Sequence, residues 1–230
     1  MKKIGIVAAM QEEFEEIEKK MRDIQAIRIS DLTFLMGKIG DHECVLVQSG
    51  VGKVHAARTT QVMIDNFELE SIINVGVAGS VNDNLNIGDV VIGKHVVQHD
   101  FDITAFGHSK GYIPSIGNNI RCDGELLSKF NEMMENIVER KYKMKLGVVA
   151  TGDIFCTDIT MKDQIRANFD ADVVDMECAA IAQVAYLNNI PFAVIRSVSD
   201  TPNGENEADF EKNLDLASKR CASILEEFLY

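Results

Sequence analysis

Short apolar runs alternate along the chain with longer stretches in which apolar residues recur every three or four positions. The runs predict strands at 4–9, 71–75, 90–97, 146–150 and, after Pro191, 192–198. Positions 33–39 and 43–48, split by "GDH", predict a hairpin. The helical periodicity predicts helices over 12–22, 54–67, 124–139, 161–168, 177–188 and 208–229. Strands interleaved with helices around an inserted hairpin imply an α/β layered fold with a mixed sheet. No linker, repeat or low-complexity tract interrupts the pattern, so one domain over residues 1–230 is expected. The long irregular segment 99–119 is the exception. Loops of that length in compact domains are usually functional or lie at an interface.

Composition narrows the partners. The 230 residues are 46% hydrophobic and 26% charged, enough apolar content for a sizeable core. A formal charge of −13 repels nucleic acid and anionic lipid, which leaves small molecules or proteins. Five widely spaced cysteines, an odd number without CxxC, suit a reducing compartment better than a disulfide framework. The opening "MKKIGIVAAMQEEFEE" has a short apolar run followed at once by acids, so it reads as a first strand, not an export signal. No stretch approaches the ~20 apolar residues of a membrane span. A soluble, cytoplasmic protein is expected.

Chemistry enters through misplaced acids. In "VVDMECAAIAQVAY" Glu177 lies among apolar residues, one helical turn before Ile181. A carboxylate facing a core costs several kcal/mol unless it is paired or protonated. Other acids follow strand ends, where open α/β sheets collect ligands: Glu12 and Glu13, Asp153, and Asp200 after "FAVIRSVS". Two further strands end in "SGVG" and "GVAGS", whose bare backbone lets a ligand approach. Together these suggest a polar, hydroxyl-bearing small molecule. Each residue also has an ordinary reading. Glu13 suits a helix first turn, Asp200 a capped turn and Glu177 a paired structural charge.

Other motifs fail. "SGVGKV" lacks the first P-loop glycine, and Val54 follows Lys53 where Ser or Thr is needed. "GVGKVH" places His55 where a dinucleotide fingerprint needs Gly or Ala. His95 and His99 on one strand would stand about 13 Å apart, too far to share a metal.

The segments "IGIVAAMQEE", "SGVGKVHAA", "INVGVAGS", "LNIGDVVI", "ATGDIF", "VDMECAAIAQVA" and "VIRSVSD", in this order and spacing, closely resemble the bacterial 5′-methylthioadenosine/S-adenosylhomocysteine nucleosidases of the purine nucleoside phosphorylase superfamily. The resemblance runs from Met1 to the final helix. It implies a single-domain, three-layer fold whose mixed central sheet is partly closed into a barrel and flanked by helices. It implies hydrolysis of the bond between adenine and ribose C1′, with neither a cofactor nor a metal. It extends the expected substrates to 5′-deoxyadenosine, and some bacterial relatives also cleave 6-amino-6-deoxyfutalosine.

Carried over residue by residue, the resemblance makes Asp200 the acid that protonates adenine N7, with Ser199 orienting it. Glu13 becomes the base for the attacking water, with Arg196 nearby. Glu177 receives the ribose hydroxyls, the partners a buried carboxylate lacks, and Met176 packs on the sugar. Phe155 stacks on adenine beside backbone groups of Ile154, Cys156, Ala78 and Gly79. Met10, Val51 and Phe210 line the sugar and 5′-substituent pocket. Ile103, Phe106 and Pro114 close the 5′ pocket of a partner subunit, which implies a homodimer with shared sites. Val77, His108 and Gln11 depart from the family pattern without removing a carboxylate. Two alternatives remain at this stage. One is a phosphorylase of the same superfamily, disfavoured by Asn74 where an arginine would hold phosphate and by Glu13. The other is a non-catalytic nucleoside-binding module, which need not keep Glu13 and Asp200.

Overall fold

A computed structural model describes residues 2–136, 141–204 and 206–230. Strand β1 (Lys3–Ala8) runs into helix α1 (Gln11–Glu18), followed by an antiparallel meander of β2 (Arg22–Ile29), β3 (Leu32–Ile39) and β4 (His42–Gln48). Next come α2 (Lys53–Asn66), β5 (Leu69–Ser80), β6 (Val90–Gln98), β7 (Ile120–Arg121), α3 (Gly124–Glu135) and β8 (Met144–Thr151). The chain finishes with α4 (Ile159–Phe169), β9 (Val173–Asp175), α5 (Cys178–Leu187), β10 (Phe192–Asp200) and α6 (Asn206–Phe228).

The ten strands form one mixed sheet. Its path runs β10-β6-β8-β9-β5-β1-β4-β3-β2, and β10 also pairs with β5. Those pairings close β5, β10, β6, β8 and β9 into a five-stranded ring, while β1 and the meander extend from β5 as an open wing. The barrel-plus-helices architecture is therefore present. Helices cover both faces. Ile17 of α1, Phe130 of α3 and Ile224 of α6 pack on one cluster, and Met63 of α2 with Ile181 of α5 on another. Strands β5 and β10 lie between these layers. β10 is buried at every position, so it reads as a continuous apolar run in which polar residues stand out. Among the described residues no helix is long and apolar enough to cross a membrane.

Two expectations need correction. The helix expected over 12–22 stops at Glu18, and Arg22 already opens β2, an edge strand exposed at seven of its eight positions. It buries neither face and is held by backbone pairing to β3 alone, so no alternation marks it. Glu177 is not inside a helix either. It precedes the first turn of α5, with non-helical φ of −133°. The helix expected over 124–139 is seen as α3 to Glu135, and its last residues lie outside the described ones. Segment 99–119 is irregular as expected, with one short turn at Thr104–Phe106.

Candidate active site

A cavity of about 330 Å³ opens where β1, β5, β9 and β10 end. From the first strand and its helix come Met10 and Glu13. From β5 come Val77, Ala78 and Gly79, and from the β9 end Asp175, Met176 and Glu177. Ser199 and Asp200 close the β10 side, with Val51, Phe155 and Phe210 around the rest. Eleven sequence-predicted residues thus meet in one place. Ile154 and Cys156 line a small recess beside it, shared with Phe155, Met176 and Asp200. Phe155 stands edge-on to Phe210, with ring centroids 5.5 Å apart.

Glu13 is the third residue of α1 and reaches back over the helix start. One carboxylate oxygen accepts the backbone N–H groups of Ala9 (2.9 Å) and Met10 (3.0 Å); the other accepts the N–H of Val77 (2.8 Å). The ordinary capping reading is thus realised together with a bond to β5. Gly76 makes room for it, since a Cβ there would stand 2.4 Å from Glu13 Oε1. Burial pushes the Glu13 carboxyl above its usual range, while Arg196 and the three amides pull it back.

Glu177 is likewise held. Its Oε1 accepts the N–H of Gly52 at 2.7 Å. Gly52 adopts φ +97°, a conformation glycine tolerates, at the start of α2. Glu177 is therefore not without a partner, contrary to the sequence expectation. Burial, with the repulsion of Asp175, raises this carboxyl to about 8.

Beneath it lies a polar knot. Arg196 is 2% exposed, does not line the cavity, and donates to Asp175 at 2.9 Å and to Asn74 Oδ1. Asp175 also accepts the Thr151 hydroxyl (2.6 Å) and the N–H groups that open α5 at Glu177 and Cys178. Burial opposes the charge on Asp175, yet Arg196 and Thr151 hold its carboxyl below the usual range. Arg196 thus lies behind the cavity beside the carboxylates, whereas the sequence reading placed it near the attacking water as well.

Asp200 faces the opposite wall. Its Oδ1 accepts the Ser199 hydroxyl at 2.9 Å, and its Oδ2 lies 3.4 Å from the ammonium of Lys162. Gly79 makes room here, because a Cβ would stand 2.9 Å from Oδ2. Burial raises the Asp200 carboxyl, opposed by Ser199 and Lys162.

The glycines of "GVAG" therefore admit the protein's own carboxylates, not only a ligand. Asp175, Val174 and Ala9 were missed as lining residues. Asp175 carried the same signal as Glu177, an acid within an apolar run. Lys162 carried none, since one lysine in "TMKDQIRANF" reads as a solvated helix face. Ile103, Phe106 and Pro114 do not line the cavity of this chain; Phe106 is 81% exposed and Pro114 is exposed. Among the described residues no cluster of His, Cys, Asp and Glu could hold a metal ion.

Comparison with known proteins agrees with this geometry. Residues 3–230 match the phosphorylase superfamily family model. The chain is 39% identical over 228 residues to the 5′-methylthioadenosine/S-adenosylhomocysteine nucleosidase of Staphylococcus haemolyticus, covering 98% of each. It superposes with a TM-score of 0.93 on the Streptococcus pyogenes S-adenosylhomocysteine nucleosidase in complex with 5-methylthiotubericidin, at 39% identity, covering 99% of this chain and 96% of that one. The Streptococcus pneumoniae nucleosidase, solved with the transition-state inhibitor MT-ImmA, gives 0.92 at 36% identity, covering 99% and 98%. The chain belongs to the phosphorylase superfamily and, within it, to the 5′-methylthioadenosine/S-adenosylhomocysteine nucleosidases.

Proposed function

We propose that this protein hydrolyses the N-glycosidic bond of 5′-methylthioadenosine and S-adenosylhomocysteine, releasing adenine and the 5′-thioribose. One observation carries the choice of water over phosphate. Glu13, Asp175, Glu177 and Asp200 line the cavity, and among the described residues no lysine, arginine or histidine does. Without a cationic donor such a wall has nothing to hold an anionic nucleophile, and its carboxylates favour a sugar that is becoming cationic. Asn74, where a phosphorylase would carry arginine, is engaged with Val7 and Arg196.

The chemistry follows from the two walls. Adenine leaves poorly as an anion, so Asp200 donates its proton to N7 as the C1′–N9 bond breaks and the bonding pair stays on the purine. Phe155 flanks the base. The ribose hydroxyls bond Glu177, each such charged bond contributing about 1.5–3 kcal/mol, while Met176 packs on the sugar. Glu13 orients water on the other face and accepts its proton. Two carboxylates acting on opposite faces is the logic of inverting glycoside hydrolysis.

The 5′ end is completed by a second copy of the chain, whose Ile103, Phe106 and Pro114 close over the alkylthio group. The exposure of Phe106 supports this. Dilution below dimer dissociation is expected to abolish activity, and a fully active monomer would remove the shared pocket. Five free, buried cysteines suit the cytoplasm as its compartment. The deciding assay follows adenine and sugar products from methylthioadenosine, S-adenosylhomocysteine, 5′-deoxyadenosine and 6-amino-6-deoxyfutalosine, with and without phosphate. Equal rates and free thioribose from the first two are expected. A sugar phosphate would make the protein a phosphorylase, and tight binding without adenine release would make it a binding module.

A further inference from the structure

One charged side chain beside the site has no part in the chemistry above. Lys162, on α4, is 1% exposed. A lysine is almost never this buried without a partner. Its ammonium reaches Oδ2 of Asp200 at 3.4 Å and bonds Oδ1 of Asn206, the first residue of α6. We propose that Lys162 is a positioning residue for the purine-side acid: it fixes the Asp200 carboxyl and takes up the negative charge left there when the proton moves to N7.

The physical basis is a difference between two states. An ammonium interacts weakly with a neutral carboxyl and strongly with a carboxylate. Before transfer, Asp200 carries the proton and Lys162 holds it by a long contact. As the proton passes to N7 and the C1′–N9 pair moves onto the purine, Asp200 becomes a carboxylate beside a cation in a water-poor site. An interaction that strengthens along the reaction speeds it, whereas one equal in both states does not. The Ser199 hydroxyl on Oδ1 and Lys162 on Oδ2 also fix the plane of the carboxyl. Asn206 shares the ammonium and so sets how fully it is committed to Asp200.

The proposal rests on Asp200 being the acid, and its test keeps the two apart. Activity needs protonated Asp200, so kcat/KM falls on the alkaline side as Asp200 ionises. The other groups facing Asp200 are the Cys156 thiol, Asp209 of α6, and Asp175, Glu177 and Glu13 across the cavity. None changes in the variants. Removing the Lys162 charge favours the neutral carboxyl, so the alkaline limb moves up. For Lys162→Met and Lys162→Gln a shift of roughly one pH unit is expected. At saturating substrate kcat falls up to about tenfold, with KM within threefold.

Asn206→Ala has the opposite sign. It removes the competing acceptor at a half-exposed position, commits the ammonium to Asp200, and moves the limb to lower pH. Damage to folding alone lowers melting temperature and kcat without moving the limb. A limb that stays in place in a folded Lys162 variant, or moves up in Asn206→Ala, overturns the proposal. Retained activity in Asp200→Asn overturns instead the assignment of the acid.

Discussion

The two carboxyls proposed for catalysis share one backdrop and differ in what holds them. Both press against β5, Glu13 over Gly76 and Asp200 over Gly79, three residues apart on one strand. Glu13 is fixed by three backbone N–H groups with Arg196 behind it. Asp200 is contacted by two side chains, Ser199 and Lys162. Backbone donors cannot turn away and favour the charged form of the carboxyl. A hydroxyl can rotate to accept as well as donate, so its partner is free to gain and lose a proton. Glu13 is therefore held in one geometry, its amides favouring the carboxylate against the burial that raises its pKa, while Asp200 is held by groups that can follow a change of protonation.

The largest effects separate these two designs. Asp200→Asn is expected to lower kcat by about 10²–10⁴-fold, the usual contribution of a positioned acid. Its side-chain partners reorient, so the protein stays folded. Glu13→Gln is expected to lose at least about 10²-fold in kcat. It also places an amide NH₂ against fixed N–H donors, costing about 1–3 kcal/mol of stability. Adenine release and thermal melts of both variants check this. Equal melting temperatures, or near-normal turnover in either, would break the distinction.

How much of this was legible in the sequence depends on what buries each residue. β10 was readable because both faces are covered, which makes Arg196, Ser199 and Asp200 conspicuous in an apolar run. Glu177 was readable for the same reason, although its actual place before α5 and its bond to Gly52 were not. β2 was invisible because it buries no face. Lys162 and the bonds made by Asn74 were invisible for a different reason. Each becomes significant only when distant elements converge: α4 with the ends of β10 and α6, and β5 with β1 and Arg196. Local pattern records burial by a face, not by a junction.

The glycine pair sharpens the comparison with smaller effects. In Gly76→Ala the new Cβ meets Glu13 Oε1 at 2.4 Å and its Cδ at 2.9 Å, so the carboxylate must leave its three amides. A misplacement near 1 Å can cost about 10²-fold in rate. In Gly79→Ala the nearest contact is Asp200 Oδ2 at 2.9 Å, so a shift of a few tenths of an ångström relieves it. About a tenfold loss is expected there, since the displacement is smaller. Measured kcat in the order wild type, Gly79→Ala, Gly76→Ala supports fixed against yielding holders. The reverse order would not.

The smallest effect is thermodynamic and concerns the third acid. Burial and Asp175 raise the Glu177 carboxyl from an ordinary 4.5 to about 8 in the folded protein. Between those values the folded state keeps a proton that the unfolded chain has lost, so stability falls as pH rises through this window. Glutamine keeps an acceptor for Gly52 and has no proton to lose. Glu177→Gln is therefore expected to melt close to wild type near pH 4.5 and several degrees above it near pH 8, in ligand-free protein. A bound nucleoside analogue whose ribose hydroxyls donate to the carboxylate should erase the advantage, because it supplies the partners that make the charged form acceptable. A constant difference in melting temperature from pH 4.5 to 8, with or without that ligand, would mean that Glu177 is a structural charge, not one the fold keeps poised for the sugar.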